Sequence, residues 1–188
     1  MSTAKNTALV IIDMQCGILA IHGLARRKEI DAALDETVRR VAGLIERTRA
    51  ASVPVIYVQH DGDLGHRLEP GTSGWPIRPE IAPRPGESVI RKHACDAFFQ
   101  TPLDGELAAA NVRRLIVAGC MTQYCVDTTV RRAVSLGYDV VLASDGHMTV
   151  DAGTLRFEQI IAHHNLLLDG FGAGGHEVVV HPSAEIEF

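Results

Sequence analysis

The sequence predicts an α/β fold in which a central, mostly parallel sheet is covered by helices on both faces. Short apolar runs of strand length alternate along the chain with longer segments of helical periodicity. This alternation is typical of right-handed strand–helix–strand units. Several of the short runs are apolar throughout, as expected for strands buried on both faces. The sequence therefore predicts a three-layer arrangement, and we expect residues 1–188 to form a single domain.

The first half of the chain carries three predicted strands and one long helix. The apolar run Ala8 to Ile12 predicts the first strand, which ends at Asp13. Apolar residues at helical spacing predict a helix from about Glu29 to Ala50. The second and third strands are predicted at Val53 to Val58 and at Ser88 to Arg91.

The second half continues the same alternation. A helix is predicted to begin at Pro102, with Thr101 as its capping hydroxyl, and another to run from Thr122 to Leu136. Asp151 is predicted to cap a last helix whose apolar stripe includes Leu167. The predicted strands are Leu115 to Ala118, Tyr138 to Ala143 and Val178 to Val180. The glycine-rich stretch 170–175 follows a helix, so it predicts a turn rather than a dinucleotide site.

Composition limits the classes of partner. The net charge is −5 and the arginine pairs are scattered among acidic residues, so we expect no nucleic-acid partner. No apolar run approaches the roughly 20 residues of a membrane span, and Asp13 interrupts the apolar stretch near the N-terminus. The four cysteines lack paired metal-ligand spacing. We expect a cytoplasmic protein that binds a small molecule and does not bind a membrane.

Residues that could take part in catalysis lie at the ends of three strands of the predicted sheet. Asp13 follows the first strand, Lys92 ends the third, and the segment from Gly119 to Cys125 joins a strand to a helix. Ligands of open parallel sheets bind outside the carboxyl ends of the strands. The sequence therefore predicts that these side chains meet at one site. Taken singly, each also fits an ordinary role: a buried cysteine, a turn aspartate and a surface lysine.

Together these residues predict a nucleophilic site. Cys125 lies in the predicted first turn of its helix, where the helix dipole lowers the pKa of a thiol. Backbone N–H groups of that turn could stabilise an oxyanion. Asp13 could accept the thiol proton, and Lys92 could keep Asp13 ionised.

The residues that carry this pattern also resemble a known family. Residues 8–15 (ALVIIDMQ), Lys92 with Asp96-Ala97-Phe98, and residues 117–129 and 137–145 are similar to the isochorismatase-like cysteine hydrolases. That family includes nicotinamidases, carbamoyl-sarcosine amidases and streptothricin hydrolase-type enzymes. The resemblance implies a Rossmann-like fold, an Asp13–Lys92–Cys125 triad and a homo-oligomer, either a dimer or a tetramer. It also implies a cis Cys120–Met121 peptide that directs the Met121 and Cys125 N–H groups into an oxyanion hole.

Departures from the family narrow the expected chemistry. Isochorismatases proper lack the cysteine, so Cys125 disfavours vinyl-ether hydrolysis. Nicotinamidases resemble one another in having an Asp-x-His pair and a second histidine, which together bind a metal. Residues 58–63 of this sequence lack that arrangement. His60, Asp63 and His66 could in principle bind zinc or iron, but exposed loop residues explain them better. We therefore predict no metal and no cofactor.

The sequence thus predicts a cysteine hydrolase that cleaves a C–N bond of a small amide, imide or carbamoyl compound through a thioester. Two alternatives stay open: a metal-assisted, nicotinamidase-like amidase, and a non-catalytic ligand-binding protein on the same fold. The long segment 61–86 predicts either a substrate-covering loop or an oligomer contact. The predicted substrate-binding residues are Gln15, Trp75, Phe98 and Tyr124.

Overall fold

The computed structural model describes residues 6–188. Within them the chain forms a seven-stranded sheet in the order β3-β2-β1-β4-β5-β7-β6. All neighbouring strands pair in parallel except β6, which is antiparallel to β7. The predicted α/β fold with a mostly parallel sheet is confirmed. The strands are β1 Thr7–Ile12, β2 Val55–His60, β3 Ser88–Lys92, β4 Arg114–Cys120, β5 Asp139–Met148, β6 Gly172–Ala173 and β7 His176–His181.

Helices cover both faces of this sheet. The helices are α1 Arg27–Ala50, α2 Leu103–Ala109, α3 Asp127–Ser135 and α4 Phe157–Leu168. Leu9 and Ile11 of β1 pack in the core layer that contains the apolar side of α1. Val10 and Ile12 point to the opposite layer, which α2 and α3 cover. The alternation of side chains along β1 therefore gives the three layers. No helix within residues 6–188 is long and apolar enough to cross a membrane.

The strand order places a switch point between β1 and β4. From β1 the sheet grows outward to β2 and β3 on one side, and then to β4 and β5 on the other. The carboxyl ends of β1 and β4 consequently border the crevice in which such sheets bind ligands. The two strands approach closely there, where Gly119 pairs with Ile12. Gly119 has a φ of 141°, and a Cβ atom at this position would lie 2.1 Å from the Ile12 carbonyl oxygen. Only glycine fits this position.

Two helix starts differ from the predictions. Helix α2 begins at Leu103, one residue after Pro102, and Thr101 Oγ1 accepts the Leu103 N–H at 3.3 Å. The predicted helix from residue 122 begins as a π-helical turn, Thr122–Val126, before α3. A wider turn has the same apolar pattern as an α-helix over so few residues, so periodicity could not distinguish them.

Other differences concern the ends of elements in the second half. Strand β5 extends beyond Ala143 as far as Met148, and part of the glycine-rich stretch forms β6. Leu167 is exposed, so it lies off the buried stripe of α4. Helix α4 begins at Phe157 with Arg156 as its N-cap residue, so the predicted cap at Asp151 is wrong in position. The Asp151 side chain still reaches the helix start, because its Oδ1 atom accepts the Phe157 N–H at 2.8 Å.

Candidate active site

Asp13, Lys92 and Cys125 meet beyond the carboxyl ends of the strands. The Lys92 ammonium lies 2.6 Å from Asp13 Oδ2 and donates a hydrogen bond to Cys125 Sγ at 3.2 Å. A further bond to the Ala94 carbonyl oxygen, at 2.8 Å, holds the ammonium in place. The side chains of Asp13 and Lys92 are fully buried. The structure therefore brings together the three side chains that the sequence predicted.

The local backbone explains why these side chains converge. Asp13 has a φ of 49° directly after β1, so the chain turns sharply there. Its N–H donates to the Val58 carbonyl oxygen at 2.9 Å, which ties the turn to β2. Lys92 is the last residue of β3, and its long side chain reaches Asp13 past the end of β2. Cys125 lies in the π-helical turn that follows β4.

Burial and charge set the protonation of the three groups. Burial raises the pKa of Asp13, although Lys92 and the neighbouring Cys125 thiol oppose the rise. Burial opposes the charged form of Lys92, but Asp13 and Cys125 outweigh it and raise the pKa of the ammonium. Lys92 is therefore a cation at neutral pH, and Asp13 is a stronger base than an exposed carboxylate.

The expectation that the Cys125 thiol has a lowered pKa is wrong. Burial, and next the negative charge of Asp13, raise the pKa of this thiol, and the favourable effect of Lys92 does not compensate. The half-charge of a helix start is a small effect beside the cost of burying a thiolate. Cys125 is thus a protonated thiol at rest, beside a carboxylate that can accept its proton. Apart from the Lys92 ion pair, both Asp13 oxygens lack a hydrogen-bond partner among the described residues.

A cavity of about 420 Å³ opens onto Asp13 and Cys125. Its apolar wall combines residues from three parts of the chain: Ile18, Ile21, Leu24, Leu68 and Val150. Its polar lining contains His60, His66, Arg67, Gln123 and Asp151. A cavity of this size, largely apolar with a few polar groups, suits a small molecule. Residues 66–68 line it, so part of the long segment 61–86 covers the site of its own chain.

Of the four predicted substrate-binding residues, Tyr124 lines this cavity and is half-exposed. Gln15 is instead fully buried in a structural role, because its amide donates to the His60 and Trp75 carbonyl oxygens and accepts the His60 N–H. Phe98 is buried in the core, stacked on Tyr138 at 5.9 Å. The geometry therefore gives neither Gln15 nor Phe98 a place in the cavity lining.

Trp75 also lies outside the cavity lining. Its indole N–H donates to Asp61 Oδ1 at 2.9 Å, and the Arg91 guanidinium stacks on its ring at 4.3 Å. These contacts tie the long loop to the sheet edge. The direction of a loop side chain depends on such tertiary contacts, which the sequence pattern does not reveal.

The three residues considered as metal ligands are not gathered. His60 and His66 line the cavity with their rings 5.8 Å apart, but Asp63 is exposed and outside the lining. Within residues 6–188 no group of three or more histidine, cysteine, aspartate or glutamate side chains is arranged to hold a metal ion. Burial, with Lys92 next, lowers the pKa of His60 to about 4, so this imidazole is neutral at pH 7.

Sequence reasoning missed a buried network beneath the π-helical turn. Thr122 Oγ1 lies 2.9 Å from His147 Nδ1, and His147 Nε2 lies 2.8 Å from Asn165 Oδ1. The Asn165 amide donates to the Ser144 carbonyl oxygen, which leaves its Oδ1 to accept from His147. Because His147 then donates from Nε2, its Nδ1 accepts the Thr122 hydroxyl. The network fixes the first residue of the turn that carries Cys125.

The expected backbone feature before this turn is present. The Cys120–Met121 peptide is cis, and Met121 and Cys125 both line the cavity.

The fold and the site together define a Rossmann-like α/β protein with a buried Asp–Lys–Cys cluster at the switch point of its sheet. Residues 7–162 match the model of the isochorismatase domain. The chain therefore belongs to the isochorismatase family, as its sequence motifs indicated.

Similarity extends to characterised relatives and solved structures. A streptothricin hydrolase from Streptomyces noursei is 38% identical over 144 residues, which cover 77% of this chain and 50% of the relative. The chain spans about half the length of the two S. noursei streptothricin hydrolases that it matches. The crystal structure of an isochorismatase from Pseudomonas putida superposes with a TM-score of 0.85 at 29% identity, covering 100% of this chain and 92% of that one. N-carbamoylsarcosine amidase from Thermoplasma acidophilum superposes with a TM-score of 0.76 at 26% identity, with full coverage of both chains.

Proposed function

We propose that this protein is a cysteine hydrolase that cleaves a C–N bond of a small amide, imide or carbamoyl substrate. The observation that carries the proposal is the position of Cys125 Sγ, 3.2 Å from a Lys92 ammonium that is itself ion-paired with Asp13. A buried thiol beside a carboxylate base and a fixed cation has the composition of an activated nucleophile.

In the first step, the Cys125 thiol loses its proton to Asp13 as sulfur attacks the substrate carbonyl carbon. The raised pKa of Asp13 favours this transfer, and Lys92 stabilises the negative charge that appears on sulfur and oxygen. Asp13 then returns the proton to the leaving nitrogen as the C–N bond breaks. The products are a thioester on Cys125 and the nitrogen-containing leaving group, which is ammonia or an amine for an amide or carbamoyl substrate and the attached amide of the opened ring for a cyclic imide.

In the second step, water hydrolyses the thioester. Asp13 accepts a proton from water as the water oxygen attacks the thioester carbonyl carbon. The carbon–sulfur bond then breaks, the acyl group leaves as a carboxylic or carbamic acid, and Asp13 returns the proton to the Cys125 sulfur, which restores the thiol and the carboxylate. Backbone N–H groups of Met121 and Cys125 would stabilise the oxyanion in both steps, since both residues line the cavity at the turn after β4.

The names of the relatives support this reaction class. The similar proteins are described as a streptothricin hydrolase and an N-carbamoylsarcosine amidase. An amidase acts on a C–N bond, which is the bond that a thiol nucleophile with an acid–base partner can cleave. The proposal places this chain in the same reaction class, in the cytoplasm.

An ammonia-release screen tests the proposal directly. Small primary amides, cyclic imides and N-carbamoyl compounds are incubated with the wild-type protein and with Cys125→Ser, which keeps the volume of the side chain and removes the thiol. We expect the wild type alone to release ammonia from a primary amide or N-carbamoyl compound, or to open a cyclic imide to its half-amide acid. The ring opening frees no ammonia, so it is followed by chromatography of the product. We also expect a covalent mass increase on Cys125 after acid quenching during turnover. A non-catalytic binding protein would bind compounds of the screen without turnover or adduct.

A further inference from the structure

A second cysteine lines the cavity that contains Cys125. Cys95 is exposed and lies in the loop between β3 and α2. The proposed hydrolysis makes no use of this thiol. Cys16 and Cys120 both lie outside the lining of this cavity, and Cys120 is buried as well. Of the four cysteines, all of which the structure describes, Cys95 and Cys125 are therefore the two that share the cavity.

Polar contacts tie the backbone around Cys95 to the surroundings of Cys125. The Lys92 ammonium donates to the Ala94 carbonyl oxygen at 2.8 Å and to Cys125 Sγ at 3.2 Å. One charged group thus contacts both the nucleophile and the residue that precedes Cys95. On the other side, the Thr129 hydroxyl donates to the Cys95 carbonyl oxygen at 3.4 Å. Thr129 lies four residues after Cys125, about one helical turn further along. Cys95 is therefore held beside Cys125 from two directions.

The two thiols are also close enough to influence each other. After burial and the charge of Asp13, the neighbouring Cys95 thiol contributes to the raised pKa of Cys125. An effect of this kind falls off with the distance between the two sulfur atoms. Among the described residues the Cys95 side chain forms no hydrogen bond, so it can change rotamer towards Cys125. The loop that carries it can absorb a backbone adjustment more readily than a strand or helix.

Exposure decides which of the two thiols an oxidant meets first. Cys95 is open to solvent, whereas Cys125 is buried and protonated at rest. Oxidation of a cysteine requires access and proceeds through the thiolate. A peroxide should therefore react at Cys95 before it reacts at Cys125.

We propose that Cys95 and Cys125 form a reversible disulfide when the protein meets a hydroperoxide, and that this bond inactivates the candidate active site. The Cys95 thiolate first attacks a peroxide oxygen, the O–O bond breaks, and Cys95 becomes a sulfenic acid while hydroxide takes up the thiol proton and leaves as water. Cys125 then attacks the Cys95 sulfur, and Asp13 accepts the Cys125 proton. That proton passes to the departing hydroxide, which leaves as a second water. The two thiols lose two electrons in total, and the peroxide gains them.

The disulfide would occupy the nucleophile and protect it at the same time. A sulfur bonded to Cys95 cannot attack a substrate, and it also cannot be oxidised directly to the irreversible sulfinic acid. A dithiol reverses the bond by thiol–disulfide exchange. The loss of activity rests on the proposed hydrolase function, whereas formation of the disulfide does not.

Peptide mass spectrometry tests the bond without any substrate. The protein is treated with hydrogen peroxide, its free thiols are blocked with iodoacetamide, and it is digested with trypsin without reduction. We expect a cross-linked pair of peptides that joins Cys95 to Cys125 and that disappears after dithiothreitol treatment. Fragmentation distinguishes Cys125 from Cys120, which lies on the same tryptic peptide. Cys16→Ser is the matched control, because it removes an exposed thiol outside the cavity lining and should leave the bond in place.

Activity on the best substrate of the ammonia-release screen tests the consequence. We expect peroxide to lower the wild-type kcat by about tenfold or more, and dithiothreitol to restore it. Cys95→Ser is compared with its own untreated activity. Its inactivation should be slower by about tenfold or more, because only the buried thiol remains in the cavity, and dithiothreitol should not restore the activity that is lost.

Peroxide-treated wild type without the cross-linked peptides would overturn the proposal, whether Cys125 stays reduced or becomes a sulfinic acid. A bond from Cys95 to Cys16 or to a second chain would overturn it too. Equal rates of inactivation in the wild type and Cys95→Ser would overturn the switch and leave the hydrolase proposal intact. A Cys95–Cys125 bond in a protein that turns over no compound of the screen would support the disulfide and count against the hydrolase proposal alone.

Discussion

Lys92 Nζ lies 3.2 Å from Cys125 Sγ although the two residues are 33 positions apart in the chain. Lys92 closes strand β3 at one side of the sheet, and Cys125 follows β4, across β2 and β1. Asp13, at the end of β1, lies between them in the strand order and pairs with the same ammonium. The parallel sheet therefore assembles the site from three separate parts of the sequence.

The two charged members of this cluster should act as one unit. We expect Asp13→Asn and Lys92→Ala each to lower kcat by about a hundredfold or more, because each removes the proton acceptor or the charge that supports it. The double variant should be hardly worse than either single variant. The measurement is kcat for all four proteins, and multiplying effects would show that the two residues act independently.

The Cys125 thiol should titrate above the ordinary value for cysteine, about 8.5. Burial and Asp13 raise its pKa, so Asp13→Asn should lower that pKa by removing the negative charge. The rate of iodoacetamide labelling, followed by mass spectrometry on the Cys125 peptide against pH, checks both expectations. The labelling rate of the exposed Cys16 in the same samples serves as the reference that corrects for differences in reagent reactivity between samples. A Cys125 pKa at or below 8.5 in the wild type would contradict the account of its protonation.

Unfolding stability should fall as the pH decreases from 6.5 towards 4. Burial lowers the pKa of His147 to about 4, whereas the unfolded chain protonates its histidines near 6.5. Between these values the unfolded state binds more protons, so His147 costs about 1.4 kcal/mol of stability per pH unit. Urea unfolding at pH 7 and pH 5 measures the total slope, to which His60 also contributes because burial lowers its pKa to about 4 as well.

Replacing His147 should make the pH dependence shallower. His147→Gln keeps a polar side chain that can bond to Thr122 or Asn165 but cannot titrate. His22→Gln is the control for the removal of a histidine, because the His22 side chain is exposed. Equal slopes in the wild type and His147→Gln would show that His147 is not held neutral.

Two glycine substitutions should have opposite effects on stability. Gly119→Ala places a Cβ 2.1 Å from the Ile12 carbonyl oxygen at a φ of 141°, and we expect a loss of at least about 2 kcal/mol. Gly105→Ala lies in α2 with nothing within 4 Å of the new Cβ, and should gain about 1 kcal/mol. Denaturant unfolding of both variants measures the difference. A neutral Gly119→Ala would show that β1 and β4 can separate at the switch point.

The sequence was most informative about the sheet and the ends of its strands. Continuous apolar runs located β1 and β4, and α1 was predicted within two residues of its start at Arg27. Asp13, Lys92 and Cys125 could be predicted to meet because parallel strands bring their carboxyl ends to one edge. Backbone topology alone was sufficient for that inference.

The cavity lining was less predictable, because it depends on where loop side chains point. Trp75 faces Asp61 and Arg91 rather than the cavity, whereas Arg67 faces it from the same long loop. Strand β5 continues past Gly146 and His147 as far as Met148, and no sequence pattern predicts this extension. Homo-oligomeric assembly stays a prediction of the family resemblance.

Ammonia release by Cys125→Ala, on the best substrate of the screen, tests the central claim most directly. Cys16→Ala is the matched control, since Cys16 is exposed and outside the cavity lining. If Cys125 is the nucleophile, Cys125→Ala should fold normally and retain less than about a thousandth of the wild-type kcat, while Cys16→Ala keeps full activity. If Cys125→Ala retains about a tenth of wild-type activity or more, Cys125 is not the nucleophile.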